Sequence, residues 1–382
     1  MPTINRRQWL GGAAASCLLP MVAARGEVLD AMAVSADAMA GVEALVGEFL
    51  SRYSAPGLSV AYARQGAPVF TAAFGLADRD SGEKLTTAHR FRAASISKPI
   101  TAATIMALID GGKLAANQLV FGEGGILADY VALTPEHPQR NWLEAITVDH
   151  LLTHSSGGWG NMRDDPMFLH GEMEHRDLIE ETLLHAPLTH APGSNYAYSN
   201  FGYCLLGRVI EQLTGQAYDD AVRQAILQPS GSGAMSIGGN ALADRRSDEV
   251  AYFAQGDGDA YGMNVTRMDS HGGWLATPTE LVDFAMHVDG YDSVPDLISA
   301  ESVALMAKPG SAHDGYGRGW TLNPRHGNWW HTGSLPGTTT ILVRVDGGVC
   351  FAGMVNTRTI GSDNTGGALD TLMWDIYRQV IG

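Results

Sequence analysis

Cysteine is nearly absent from this chain, which has three cysteines in 382 residues. A scaffold held by disulfides needs several paired cysteines, so the fold must rest on a hydrophobic core. Cys204 and Cys350 both have apolar neighbours, and we expect them to be buried free thiols. With 45% hydrophobic and 17% charged residues, the composition is that of an ordinary globular protein.

Basic residues are also few, and they are outnumbered by acidic ones. Lys and Arg total 25 against 41 Asp and Glu, for a formal net charge of −16 with histidine neutral. Such a surface repels nucleic acid and anionic lipid, so neither is an expected partner. His170, Glu172, Glu174 and His175 lie close together but lack the spacing of a metal site, and we interpret them as a solvated face. We expect neither a metal nor another cofactor.

The apolar run near the N-terminus is too short for a stable transmembrane helix. It follows Asn5-Arg6-Arg7-Gln8-Trp9-Leu10, which resembles a twin-arginine export motif, and it leads to the small-residue site Val22-Ala23-Ala24. We interpret residues 1–24 as an export signal and residues 25–382 as a periplasmic domain without membrane attachment. Lipid attachment at Cys17 is the alternative, but the three residues before it lack the usual large aliphatic side chain.

Hydrophobic periodicity changes along the chain. Apolar positions recur at helical spacing over residues 37–53, and strand-like runs at 57–64 and 68–74 predict a hairpin. Residues 105–274 show helical patterns and loops without a convincing pair of strands. After a capped helix start at Thr277-Pro278-Thr279-Glu280, the chain returns to strands. The later predicted elements are strands at 316–322, 329–333, 338–345 and 349–356 and a closing helix at 368–380.

These patterns predict an α+β fold with one antiparallel sheet, built from the N- and C-terminal segments and flanked by helices. The sheet part comprises about residues 37–104 and 275–382. A mostly helical subdomain, about residues 105–274, is inserted between them. We expect residues 25–382 to form a single domain.

A serine and a lysine stand three residues apart where a buried helix is predicted to begin. Ser95 and Lys98 precede an almost entirely apolar run from Thr101 to Leu108, which ends at Gly111-Gly112. At this spacing both side chains lie on one helix face, where the amine can activate the hydroxyl as a nucleophile. Free N–H groups at the helix start favour negative charge that develops beside Ser95. By itself, the four-residue pattern also fits a helix cap and a surface charge.

Two further motifs follow in order, and the three together resemble those of a known enzyme family. Ser95-Ile96-Ser97-Lys98, Tyr198-Ser199-Asn200 and His331-Thr332-Gly333 are similar to the signature elements of serine β-lactamases and penicillin-binding proteins. The Tyr-x-Asn form resembles the class C branch, which includes class C β-lactamases, D-alanyl-D-alanine carboxypeptidases, D-aminopeptidases and family VIII esterases. Residues 151–158 and 334–337 also resemble framework segments of that family. The resemblance therefore covers nearly the whole predicted domain.

The resemblance implies a β-lactamase/transpeptidase-like fold and an acyl-enzyme mechanism. Ser95 would be acylated, Lys98 and Tyr198 would share the proton transfer, and Asn200 would orient Lys98 or donate to a substrate amide. Whether Lys98 or Tyr198 is the general base is left open. To act as the base, Tyr198 needs a pKa below its usual value of about 10, and we expect Lys98 to lower it. The backbone N–H groups of Ser95 and Ser334 would form the oxyanion hole.

The remaining motif residues are expected to bind substrate. Gly333 suits a strand that runs beside a ligand, and Thr332 lies on the same strand. His331 departs from the lysine usual at this position in β-lactamases, and a histidine is neutral for much of the time near pH 7. This departure weakens the β-lactamase interpretation. Trp159 and Asn161 fall where the family places a loop beside the active site, and we expect them to contact substrate.

We therefore predict an exported, cofactor-free serine hydrolase that cleaves an amide or peptide bond through an acyl-enzyme on Ser95. Its substrate would be a small molecule or a peptide. Peptides with D-amino acids are the first candidates, because a periplasmic enzyme meets them in the cell wall. The alternatives are a carboxylesterase, a weak β-lactamase and, outside the enzyme class, a penicillin-binding sensor that is acylated without turnover.

Overall fold

The computed structural model describes residues 27–29, 34–130, 136–162, 165–256 and 258–382. The predicted export signal and Cys17 lie outside these residues. Within them, no helix is both long and apolar enough to cross a membrane. Cys204 and Cys350 are buried and unpaired, which confirms the expectation of free thiols.

The described residues contain eleven α-helices, and most of them begin where a polar side chain accepts a hydrogen bond from the first turn. They are α1 (Ala36–Arg52), α2 (Ser97–Asp110), α3 (Arg140–Leu143), α4 (Val148–Leu152), α5 (Pro166–Leu169), α6 (His175–His185), α7 (Asn200–Thr214), α8 (Tyr218–Val222), α9 (Pro278–Met286), α10 (Ala300–Met306) and α11 (Thr365–Val380). Thr277 and Glu280 form the predicted capping box of α9. Gly215 ends α7 with a φ of 69°, a left-handed conformation that favours glycine.

The main sheet joins strands from both ends of the chain. The strands of the described residues are β1 (Glu27–Leu29), β2 (Gly57–Arg64), β3 (Ala67–Asp78), β4 (Glu83–Lys84), β5 (Phe91–Arg92), β6 (Ser236–Ile237), β7 (Phe253–Ala254), β8 (Trp274–Ala276), β9 (Thr321–Asn323), β10 (Asn328–Leu335), β11 (Thr338–Val345), β12 (Val349–Val355) and β13 (Thr357–Arg358). Eight of them form one antiparallel sheet in the order β1-β3-β2-β12-β11-β10-β9, with β4 paired to β3. In its middle, β2 pairs with β12 so that Leu58 lies opposite Val355 and Arg64 opposite Val349. The predicted α+β fold is confirmed.

Successive side chains along β2 point to opposite faces of the sheet and enter two separate hydrophobic layers. Leu58, Val60 and Tyr62 belong to the layer that α1 and α11 cover. Ala61 and Ala63 face the other side, where their small side chains allow α9 to pack on the sheet. This second layer continues without interruption into the interior of the helical part, which includes α2 and α7. The helical part is therefore anchored to the sheet through a shared core.

Two predictions about strands are corrected. Short strands do occur between residues 105 and 274, because β6 pairs with β8 and β7 pairs with β13. Strands of two residues have no recognisable period and arise only from tertiary pairing. A strand is predicted over residues 316–322, and the observed strand is the shorter segment Thr321–Asn323. The predicted range is interrupted at Gly319, whose φ is 83° and where a Cβ would lie 2.7 Å from the Cβ of Ala102 in α2.

Candidate active site

Ser95 stands in a tight turn between β5 and α2. The turn is a 3-10 helix over Ala94–Ile96. Ala94 has a φ of 51°, a left-handed conformation that is unfavourable for a residue with a side chain. The Thr340 hydroxyl of β11 donates to the main-chain oxygen of Ala93 at 2.9 Å. The sheet thus holds Ala94, directly before the predicted nucleophile Ser95, in a backbone conformation that an isolated helix start would not adopt.

Gly333 lets β10 approach this turn closely. A Cβ at this position would lie 2.4 Å from the main-chain oxygen of Ala93 and 2.1 Å from Thr340 Oγ1. The glycine is therefore required by packing of the protein on itself, whatever the strand also does beside a ligand. The next residue, Ser334, lines the cleft at Ser95.

The Lys98 amine is fully buried and has three hydrogen-bond partners. Its Nζ lies 3.1 Å from Ser95 Oγ, 2.7 Å from Asn200 Oδ1 and 3.0 Å from the main-chain oxygen of His271. Asn200 Nδ2 in turn donates to Asp165 Oδ2 at 2.7 Å. Because a carboxylate only accepts, this bond orients the amide so that its oxygen faces Lys98.

Burial lowers the pKa of Lys98 into the range in which the amine can act as a general base. The pKa of Lys98 falls from 10.5 to about 7 because burial disfavours the charged amine, and the Asp165 carboxylate opposes the fall. A neutral amine has two N–H bonds and one lone pair. Asn200 Oδ1 and the His271 carbonyl can only accept, so the N–H bonds point at them and the lone pair faces the Ser95 hydroxyl. This arrangement can remove the serine proton.

Tyr198 lies beside Lys98, and its phenol stays protonated. The Lys98 Nζ is 4.7 Å from the centre of the tyrosine ring. Burial raises the pKa of Tyr198 above 10.0, and a hydrogen bond to Ser95 offsets only part of this rise. The expectation that Lys98 lowers this pKa is corrected, because burial of the phenol outweighs any stabilisation of a phenolate by the amine, which itself loses its proton near pH 7. Tyr198 is suited to donating or relaying a proton.

His331 is buried, with only 3% of its surface exposed, and does not line the cleft. Its Nδ1 lies 2.7 Å from the main-chain oxygen of Thr332 and must donate to it, so Nε2 accepts from the Tyr316 hydroxyl at 3.2 Å. Burial, with Lys98 nearby, lowers the pKa of His331 to about 3. The histidine is therefore neutral and supplies no cation for a substrate carboxylate.

A cleft of about 470 Å³ opens at the nucleophile, and part of the predicted site lines it. Of the residues expected to bind substrate, Asn161, Asn200 and Ser334 lie in its wall. Thr332 and Gly333 instead border a neighbouring cleft of about 360 Å³, which shares Ser334 with the first. In the part of the chain that is described, no group of three His, Cys, Asp or Glu side chains is arranged to hold a metal ion.

Trp159 departs from the expected site. Its indole is buried against Phe201, with ring centres 5.1 Å apart, and its Nε1 donates to the main-chain oxygen of Ala186 at 3.0 Å. The expectation that it contacts substrate is corrected, since it instead anchors the loop that carries Asn161. A backbone hydrogen bond of 2.8 Å from Asn161 N to Tyr198 O connects this loop to the second motif.

Two groups that position the lysine were not predicted from the sequence: Asp165, which binds Asn200, and the main-chain oxygen of His271, which binds Lys98 directly. Asp165 gives only the local signal of a helix cap before a proline, and it does cap α5. His271 acts through its main-chain oxygen, which no residue pattern reveals. Asn200 itself is the first residue of α7, and Ser199 is its N-cap, so the Asn200 side chain is available to Lys98.

The fold and the site together define a class of protein. An antiparallel sheet with an inserted helical part groups serine, lysine, tyrosine and asparagine side chains around the Lys98 amine, and Ser95 and Asn200 of this group line a cleft. This is the arrangement of a serine hydrolase. Residues 42–371 match the family model described as Beta-lactamase, so the chain belongs to the beta-lactamase family. The chain is a serine hydrolase, and the predicted resemblance is confirmed.

Curated relatives and solved structures agree with this membership. The chain is 27% identical over 338 residues to penicillin-binding protein 4 of Amycolatopsis lactamdurans, with 81% of each chain covered. It is 30% identical over 309 residues to esterase EstB of Burkholderia gladioli, with 74% of each covered. A solved structure of D-amino acid amidase from Ochrobactrum anthropi SV3 superposes with a TM-score of 0.72, covering 90% of this chain and 99% of that one. Its identity of 19% supports a shared fold alone.

Proposed function

We propose that this chain is an exported hydrolase that cleaves an amide or peptide bond through an acyl-enzyme on Ser95. Peptides that contain D-amino acids are the first candidate substrates. One observation carries the mechanism: the Lys98 amine lies 3.1 Å from Ser95 Oγ, while its other two partners can only accept hydrogen bonds. Export rests on the leader pattern of residues 1–24.

Acylation begins when Lys98 Nζ takes the Ser95 proton and the serine oxygen attacks the substrate carbonyl carbon. Backbone N–H groups of Ser95 and Ser334 stabilise the resulting oxyanion. The proton passes through the Tyr198 hydroxyl to the leaving nitrogen, and the C–N bond breaks. The free amine departs, and the acyl group stays on the Ser95 oxygen as an ester.

Deacylation uses the same groups in reverse. Water attacks the ester carbonyl as Lys98 takes its proton, the bond to the Ser95 oxygen breaks, and the proton returns to that oxygen. The products are a carboxylic acid and the free serine. A pKa of about 7 lets Lys98 accept and return a proton near neutral pH.

Amide chemistry is supported by two of the comparisons. One relative is a penicillin-binding protein, and the D-amino acid amidase that shares this fold acts on an amide of an amino acid, as its name states. A periplasmic location would expose the enzyme to cell-wall peptides with D-residues. These points favour a peptide or acyl-amide substrate.

A carboxylesterase is the second candidate, and two observations favour it. Esterase EstB is 30% identical to the chain. In addition, His331 is buried and neutral, so this motif offers no cation for the carboxylate that peptides and β-lactams carry. A simple ester needs no such cation.

A substrate panel separates these candidates. We expect a fluorophosphonate or a fluorescent penicillin to label the wild type and not Ser95→Ala, whereas Ser81→Ala, an exposed serine outside the cleft, retains labelling. Values of kcat/KM for D-alanyl peptides above those for p-nitrophenyl esters and β-lactams would support the proposal. Turnover of esters alone would favour the esterase, and labelling without turnover would favour a sensor. Full activity of Ser95→Ala would contradict the mechanism.

A further inference from the structure

The cleft at Ser95 has an apolar wall and an exposed apolar rim, and we propose that these bind a bulky hydrophobic acyl group of the substrate. The inference rests on the proposed Ser95 chemistry and adds the substrate class to it. The acyl group is the part of the substrate that stays bonded to the serine oxygen. The wall beside Ser95 is therefore the surface that this group contacts.

The apolar wall is a small cluster next to the nucleophile. Ala94, Val265, Met268 and Leu335 form a buried group that is separate from the two main layers, and Met263 packs against it while partly exposed. Three of these side chains, Met263, Met268 and Leu335, line the cleft. Methionine is unbranched and flexible, so it adapts to apolar groups of different shape.

The apolar rim comprises exposed side chains that precede and follow Asp165 in the chain. Eight large hydrophobic side chains are exposed among the described residues, and three of them are Met162 (91%), Phe168 (48%) and Leu169 (56%). Phe168 lines the cleft, as does Asn161, which directly precedes Met162. Exposed apolar surface is unfavourable in water, and its concentration at a cleft indicates a ligand that covers it.

The charged groups of the cleft are engaged with the protein and do not favour an anionic acyl group. Asp165 binds Asn200 and the first turn of α5. Asp259 accepts a hydrogen bond of 2.8 Å from a backbone N–H, and Arg358 donates to Ser334 Oγ at 3.3 Å. Two carboxylates against one guanidinium give the described lining a net negative charge. A neutral apolar group fits this lining.

The first test needs only the wild-type protein. We measure the acylation rate, as the burst of p-nitrophenol, for esters from acetate to hexanoate, because this signal appears with or without turnover. A fully buried methylene contributes about 0.8 kcal/mol, or about fourfold. We therefore expect the acylation rate constant divided by the substrate dissociation constant to rise about twofold to fourfold per methylene. A flat or falling series overturns the inference, whereas absence of any Ser95-dependent burst overturns the proposed function itself.

The second test assigns the effect to the rim. Phe168→Ala should lower the hexanoate-to-acetate ratio by about fivefold or more, because a large apolar contact is lost. Leu184→Ala serves as the matched control, since Leu184 is 38% exposed but does not line the cleft. Equal losses for all chain lengths in Phe168→Ala overturn the inference. So does sedimentation that shows the wild type as a dimer and Phe168→Ala as a monomer with an unchanged ratio, since a second copy would then cover the rim.

Discussion

Replacing Asp165 by asparagine tests how the cleft sets the protonation of Lys98. The carboxylate reaches the amine through Asn200, by two hydrogen bonds of 2.7 Å each. Its charge raises the pKa of Lys98 against the larger effect of burial. Across one intervening amide, two unit charges interact by about 1 to 2 kcal/mol at an effective dielectric constant of about 20. This energy corresponds to about one pH unit.

The expected shift has a definite sign. Removing the negative charge makes the ammonium form less favourable, so the acid limb of kcat/KM, near pH 7 in the wild type, should move down by about one pH unit. Burial holds the other titratable groups around the amine in their neutral forms: Tyr198, Tyr203, His154, His271 and His331. Because these groups carry no charge, the shift in the pKa of Lys98 should come from the loss of the Asp165 carboxylate charge.

The assay is the pH profile of kcat/KM for a p-nitrophenyl ester between about pH 5 and 9. We also expect the plateau to fall roughly tenfold or more, because Asn200 loses the acceptor that orients its amide. A purely structural role would lower the plateau and leave the limb in place. Asp259→Asn is the matched control, since Asp259 lines the same cleft without a hydrogen bond to Asn200 or Lys98. A limb that stays in place or moves upward in Asp165→Asn would refute the reasoning.

Two further predictions concern stability. In the wild type Lys98 loses its proton near pH 7 when folded and near 10.5 when unfolded, so the free energy of unfolding should rise by about 1.4 kcal/mol per pH unit between about pH 7 and 9. Denaturant titrations of Lys98→Met should lack this rise, and equal slopes would show that the amine is not desolvated. Gly333→Ala places a methyl group 2.1 Å from Thr340 Oγ1 and should cost about 1 to 3 kcal/mol with loss of activity. Gly47→Ala, on an open face of α1, should be neutral or stabilising, and a Gly333→Ala variant as stable as wild type would contradict the packing argument.

Local signals predicted the elements that are long or capped. The helical spacing of apolar residues over 37–53 and the capping residues at Thr277 lie within one or two helical turns of the elements that they predict. Helices α1 and α9 form as expected. The hairpin over residues 57–74 also forms, since its two runs are adjacent in the chain. The strands of two residues and the break at Gly319 depend on distant partners, and no local pattern indicates them.

The candidate site divides in the same way. Ser95 and Lys98 are one helical turn apart, so their contact follows from spacing alone. The burial of Trp159 and His331 depends on which surfaces other segments cover. The raised pKa of Tyr198 results mainly from desolvation. Desolvation depends on distant segments that cover the side chain, so the residue pattern along the chain does not predict it.

The amino-acid sequence by itself determined the family, the predicted nucleophile and the residue types predicted around it, because motifs and periodicity are properties of neighbouring residues. Only the tertiary structure supplies the observations that favour Lys98 over Tyr198 as the proposed base. The acceptors that turn the lone pair of Lys98 toward Ser95 come from positions 102 and 173 residues away along the chain. Their approach removes water from the amine, and this desolvation brings its pKa to about 7.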